Sequence, residues 1–132
     1  MEYTGAHIEA AILIAGAAHK GQKYGKYPYM VHLARVDALV WEFNEEELGS
    51  RICMLRAIAY LHDILEDTNL TYEELKTFFG EEIAEAVRCI TKVEGESYKN
   101  YIKKVKINEA SLLVKKADTL ANLQASVESE IS

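Results

Sequence analysis

Apolar residues recur at three- and four-residue spacing along most of the chain, the mark of amphipathic helices rather than alternating strands. Ile8, Ala11, Ile12, Ala15 and Ala18 form one stripe, predicting a helix from Thr4, its N-cap, to about Lys20. Gly21 to Pro28 breaks the pattern and reads as a basic loop. A second helix is predicted over Tyr29 to Phe43, with Val31, Ala34, Leu39 and Trp41 turned inward. After the acidic stretch Glu45–Glu47, Gly49-Ser50 opens a helix to about Leu65. That helix is apolar on most sides (Ile52, Met54, Leu55, Ala57, Ile58, Ala59, Leu61), which predicts a central, buried position. Thr71-Tyr72-Glu73-Glu74 has capping-box spacing and starts a helix that ends at Phe79-Gly80. Further helices are predicted from Glu81 to about Lys92, Tyr98 to Lys106 and Glu109 to about Val127. The fold class is therefore all-α, a bundle of about seven helices.

Composition narrows this picture. A chain of 132 residues fits one domain, 1–132, and can bury a core without disulfides. One proline and seven glycines disfavour a turn-rich β sandwich. The longest uncharged apolar stretch, Ala10 to Ala18, is far below the roughly 20 residues of a membrane span. Met1-Glu2-Tyr3 lacks the basic region of a signal peptide, and Cys53 and Cys89 lie in apolar patterns without CxxC spacing. The expectation is a cytoplasmic protein with two reduced cysteines and no membrane partner. A net charge of −6 argues against nucleic acid as a general partner.

The charge is segregated. His19 to Arg35 holds four basic residues and no acidic ones; Trp41 to Glu85 holds twelve acidic and three basic; Arg88 to Lys116 holds eight basic and three acidic. Either these charges solvate helix faces, or a carboxylate cluster that takes a cation is flanked by cationic walls that take an anion.

The run Tyr60-Leu61-His62-Asp63-Ile64-Leu65-Glu66-Asp67 sharpens the second reading. On a helix, His62, Glu66, Asp63 and Asp67 fall at about 0°, 40°, 100° and 140°, all in one sector. Carboxylates gathered at the negative end of a helix dipole need something positive. A divalent cation satisfies them, because imidazole with carboxylate suits a transition metal; a frayed, solvated helix end is the plainer alternative. Two distant positions share this chemistry. His32 lies between Val31 and Leu33, where a hydrogen-bonded core histidine is the ordinary case. Asp118 sits mid-helix with Lys115 and Asn122 on the same face, where a simple Lys115–Asp118 pair is the ordinary case.

Taken together, His32, His62-Asp63 and Asp118 follow the order H…HD…D, and the chain resembles HD-domain metal-dependent phosphohydrolases. Ala18-His19-Lys20-Gly21-Gln22, Pro28-Tyr29-Met30-Val31-His32, His62 to Thr68, Phe79-Gly80, Thr91-Lys92 and Val114-Lys115-x-Ala117-Asp118-x-x-x-Asn122-Leu123 resemble, in order, the hydrolase domain of Rel-type stringent-response enzymes and the small alarmone hydrolases. The HDxxED run is the specific part. The resemblance implies an HD-type helical bundle in which His32, His62, Asp63 and Asp118 bind one Mn²⁺ and Glu66 and Asp67 are the catalytic carboxylates. It implies that Asn122 contacts the ribose region and that Lys23 lies in a basic, base-stacking loop. The implied reaction removes the 3′-pyrophosphate of guanosine tetra- or pentaphosphate.

Residue chemistry fits those roles. A metal-bound water is a nucleophile near neutral pH, and Glu66 or Asp67 can orient it or take its proton. Lys20, Lys23, Lys26, Lys92, Lys99, Lys103 and Lys115 are candidates to meet a phosphoryl anion, and Tyr24 or Tyr27 to stack on a base. The chain departs from the family in places: the basic loop is one residue shorter, Leu33 replaces a proline, and Thr119 and Ala121 replace an arginine and a histidine. Relatives add helices after Asn122, so homo-oligomerisation is expected to cover apolar surface. Two alternatives stay open: an HD phosphohydrolase acting on another nucleotide, and a non-catalytic nucleotide-binding module.

Overall fold

The computed structural model describes residues 1–131, which form eight helices and one short hairpin. The helices are α1 (Gly5–Ala18), α2 (Tyr29–Phe43), α3 (Ser50–Leu61), α4 (Ile64–Asp67), α5 (Tyr72–Phe79), α6 (Glu81–Ile90), α7 (Tyr98–Ile107) and α8 (Glu109–Ile131). The strands β1 (Lys23–Tyr24) and β2 (Tyr27–Pro28) pair antiparallel. Since α4 is a single turn, the all-α bundle of about seven helices holds.

Helix starts follow the capping signals. Thr4 Oγ1 accepts from the Ala6 N–H at 3.2 Å, and His7 Nδ1 accepts from the Thr4 N–H at 3.0 Å. Thr71 and Glu74 exchange the reciprocal bonds of a capping box, both at 3.1 Å. Gly80 closes α5 and opens α6 at φ +90°, a conformation that residues with a Cβ rarely adopt.

The core is built around α3, which packs on α1, α2, α6 and α8. Leu55, Ile58 and Leu61 of α3 are fully buried among Leu33, Val36, Val40, Ile83, Val87 and Val114. No helix among the described residues is long and apolar enough to cross a membrane. Cys53 is half-buried and Cys89 buried, and no disulfide joins them.

Four expectations need correction. On α2, Leu33, Val36 and Val40 face the core, while Ala34 is exposed and Trp41 is 54% exposed. The cause is Asp37, buried on the inner face. It accepts from Arg56 Nε at 2.7 Å, Arg56 Nη2 at 3.0 Å and the Tyr60 hydroxyl at 2.8 Å. The Arg56 guanidinium lies 3.9 Å over the Trp41 ring, so Trp41 caps this pair from outside instead of filling the core. On α1, Ile12 also reaches the surface, and the buried stripe is Ile8, Ala11 and Ala15.

The central helix stops at Leu61, not Leu65. His62 Nδ1 donates to the Ala59 carbonyl at 2.7 Å, an acceptor that a continuing helix offers to the Asp63 N–H. Asp63 then takes φ −100°, ψ 1°, and the chain re-enters a helical turn at Ile64. Finally, Gly21–Pro28 is not a plain loop: β1 and β2 join through Gly25-Lys26, with Gly25 at φ +60°.

Candidate metal centre and active site

The break after Leu61 sets up the site. It turns His62 and Asp63 toward one end of α2 and the middle of α8, where His32 and Asp118 lie. One nitrogen or oxygen from each of His32, His62, Asp63 and Asp118 falls within 4.8 Å of the others. His32 Nε2 is 2.9 Å and His62 Nε2 is 3.2 Å from Asp118 Oδ1; His62 Nε2 is 3.0 Å from Asp63 Oδ2. Three of the four residues are buried and Asp63 is half-buried.

The protonation logic of this cluster demands a cation. The Ala59 carbonyl can only accept, so Nδ1 of His62 carries a hydrogen. The neutral ring therefore presents its Nε2 lone pair to two carboxylate oxygens. Either a proton or a metal ion must sit among them. Burial opposes a charge on His62, but the Asp63 and Asp118 carboxylates outweigh it and hold the imidazole well above its usual range. Burial also works against the Asp118 charge, but hydrogen bonds from His32 and His62 outweigh it and hold the carboxyl well below the usual carboxylate range. Two imidazoles and two carboxylates are a suitable donor set for a divalent transition metal.

Neighbouring side chains aim these four. The Tyr29 hydroxyl donates to Asp63 Oδ2. Burial first, and then the Asp63 carboxylate, push that phenol far above its ordinary pKa, so it stays a donor. The His32 ring lies flat against Tyr24, with centroids 4.4 Å apart at 11°. Asp118 Oδ2 accepts from Lys115 Nζ at 3.3 Å, and Oδ1 accepts from Asn122 Nδ2 at 3.4 Å. Thus Lys115, Asp118 and Asn122 do share one face, and the Lys115–Asp118 pair exists alongside the cluster.

A cavity of about 310 Å³ opens over these residues. Glu66 and Asp67, exposed at the surface, line it, as do Lys92, Tyr98, Tyr101, Lys115 and Asn122. Glu66 Oε1 accepts from the Lys92 backbone N–H at 3.0 Å, and Asp67 Oδ2 accepts from Gln22 Nε2 at 3.1 Å. Tyr24, whose hydroxyl donates to Asn122 Oδ1, stands between this cavity and a larger groove of about 470 Å³. That groove is lined by Lys26, Tyr27 and Arg35 on one side and Ser126 and Glu128 on the other.

The structure thus brings together His32, His62, Asp63, Asp118, Glu66, Asp67, Tyr24, Lys115 and Asn122. It does not bring Lys20 or Lys23 to the cavity wall; both are exposed on the loop beyond it. Sequence reasoning missed Tyr29 and Tyr101. Tyr29 stands inside the Pro28–His32 motif, yet nothing in that string marks it as a donor to Asp63.

No family model matches the chain. Its sequence is 38% identical over 126 residues to a guanosine-3′,5′-bis(diphosphate) 3′-pyrophosphohydrolase of Aquifex aeolicus, covering 89% of this chain and 17% of that protein. It is 28% identical over 129 residues to the bifunctional (p)ppGpp synthase/hydrolase SpoT of Escherichia coli, covering 89% of this chain and 18% of SpoT. The chain resembles the HD-domain alarmone hydrolases. It spans less than a fifth of the length of these curated relatives. The fold also matches a solved structure described as a metazoan ortholog of SpoT that hydrolyses ppGpp. The TM-score is 0.75 at 23% identity, over 94% of this chain and 72% of that one. The resemblance first read from the HDxxED run and its flanking motifs is therefore borne out, and the match to the solved structure bears out the helical bundle.

Proposed function

We infer that this chain is a Mn²⁺-dependent (p)ppGpp 3′-pyrophosphohydrolase, formed as one HD-type domain over residues 1–132. The observation that carries the reading is the convergence of His32, His62, Asp63 and Asp118 beside the Glu66–Asp67 pair in one lysine-bearing cavity. The likeness to proteins named for this reaction supports it.

His32, His62, Asp63 and Asp118 would hold the metal. When bound, it lowers the pKa of a water and neutralises phosphoryl charge. Glu66 and Asp67 line the cavity beside these residues, placed to orient an attacking water and take its proton. Lys115 and Lys92 meet the negative charge of the 3′-diphosphate. Asn122 and Tyr24, at the junction of cavity and groove, contact the nucleoside. Water adds its oxygen to the phosphorus attached to the ribose, the bond from that phosphorus to O3′ breaks, and O3′ leaves with a proton. Pyrophosphate and GDP or GTP are the products.

A nucleotide panel tests this. Mn²⁺-loaded protein is incubated with guanosine tetraphosphate, nucleoside monophosphates and dinucleotide phosphates. Pyrophosphate release from guanosine tetraphosphate alone is the expected result. Orthophosphate release from the others overturns the substrate assignment, and binding without turnover overturns the enzymatic one.

A further inference from the structure

Glu66 and Asp67 are held by different means. The Glu66 carboxylate takes a backbone N–H, that of Lys92. Asp67 is held by a side chain distant in sequence, Gln22, which follows α1 just before β1. The direction of that contact is fixed. A carboxylate only accepts, so the Gln22 carboxamide turns its NH₂ to Asp67 and its oxygen away. The oxygen meets His19 Nδ1 at 2.7 Å. His19 must then donate, which makes it the Nδ1–H tautomer.

His19 is held rigidly beside this contact. It is 3% exposed, and its Nε2 has no partner among the described residues. Its ring stacks on Tyr29, with centroids 4.8 Å apart at 22°. Tyr29 itself donates to Asp63. A buried imidazole with one unsatisfied nitrogen is costly to keep, and here its other nitrogen points the Gln22 amide.

We propose that His19 and Gln22 are positioning residues: His19 Nδ1–H orients the Gln22 carboxamide, which holds the Asp67 carboxylate over the cavity. This rests on the assignment of Asp67 to catalysis made above. The relay joins α1 to the HDxxED turn, so the loop between α1 and α2 sets the aim of a carboxylate 45 residues away.

Steady-state kinetics on Mn²⁺-loaded full-length protein with guanosine tetraphosphate tests it. Gln22→Met keeps length and volume but removes both polar ends. It lowers kcat about tenfold to a hundredfold, with KM and the Mn²⁺-induced rise in Tm unchanged. His19→Ala lowers kcat comparably. His19→Asn, whose Nδ2–H replaces the imidazole donor, restores most of the rate. The double variant His19→Ala/Gln22→Met is no slower than Gln22→Met, because the two act in series. Wild-type kcat in Gln22→Met, or losses that multiply in the double variant, overturns the relay. A wild-type protein that turns over no nucleotide defeats the functional reading instead. The relay is then judged by the NMR signals of the Gln22 carboxamide: Asp67→Ala and His19→Ala each shift them, and unshifted signals overturn it.

Discussion

Asp118→Asn keeps the side chain's volume and removes one negative charge from the centre of the cluster. Asp118 Oδ1 lies within 3.2 Å of both histidine Nε2 atoms, and all four ligand atoms lie within 4.8 Å of one another. At that outer distance, and at an effective dielectric of about 20, one pair of unit charges is worth roughly 3.5 kcal/mol. A loss of that size weakens metal affinity by two orders of magnitude or more. With Mn²⁺ at about 100 times the wild-type Kd, binding stabilises the wild type by about 2.7 kcal/mol, and the variant by about 0.4 kcal/mol. For a domain of this size, about 4 °C per kcal/mol converts these into Tm rises of about 11 °C and about 2 °C. The assay is thermal unfolding of chelator-stripped protein with and without Mn²⁺. Asp118 also accepts from Lys115 at 3.3 Å, so the stripped variant melts lower in its own right. The metal-induced rise is the quantity to compare. A full wild-type rise in Asp118→Asn refutes the assignment of Asp118 as a ligand.

Glu66→Gln keeps the Mn²⁺-induced rise in Tm but lowers kcat at least about a hundredfold; full activity removes Glu66 from the mechanism. Tyr29→Phe deletes the donor to Asp63 and weakens Mn²⁺ affinity about tenfold to a hundredfold by titration calorimetry, and an unchanged Kd shows that Asp63 needs no aiming. Asp37→Ala strips Arg56 and Tyr60 of their shared acceptor and costs about 3 kcal/mol in denaturant unfolding, while kcat of the folded fraction is unchanged. Loss of Mn²⁺ binding in the folded Asp37 variant contradicts its assignment to the α2–α3 packing alone.

Elements with explicit capping chemistry were legible from residues alone. Thr4 and Thr71 start their helices where expected, because a capping oxygen is a local signal. The four clustered residues were picked out by the family resemblance: the HDxxED run holds His62 and Asp63, and His32 and Asp118 complete its H…HD…D order. The end of the central helix was not. Apolar periodicity continues through Ile64 and Leu65 and cannot report that the His62 ring takes the Ala59 carbonyl. The inward face of α2 was misjudged for a related reason. Asp37 is buried only because Arg56, on another helix, reaches it, and Trp41 is at the surface because it covers Arg56. Both depend on a partner distant in sequence. Lys20 and Lys23 belong to the basic stretch, but Lys20 ends up exposed in the turn after α1 and Lys23 exposed on β1, and neither lines the cavity.

The His32–His62–Asp63–Asp118 cluster is proposed to support metal-dependent removal of a 3′-pyrophosphate. The most direct measurement is ³¹P NMR of guanosine tetraphosphate incubated with protein stripped of metal and then reloaded with Mn²⁺. GDP and pyrophosphate, formed in equal amounts by the reloaded protein and not by the stripped one, are the expected result. Orthophosphate as the product, or an intact substrate in the presence of fully loaded protein, contradicts it.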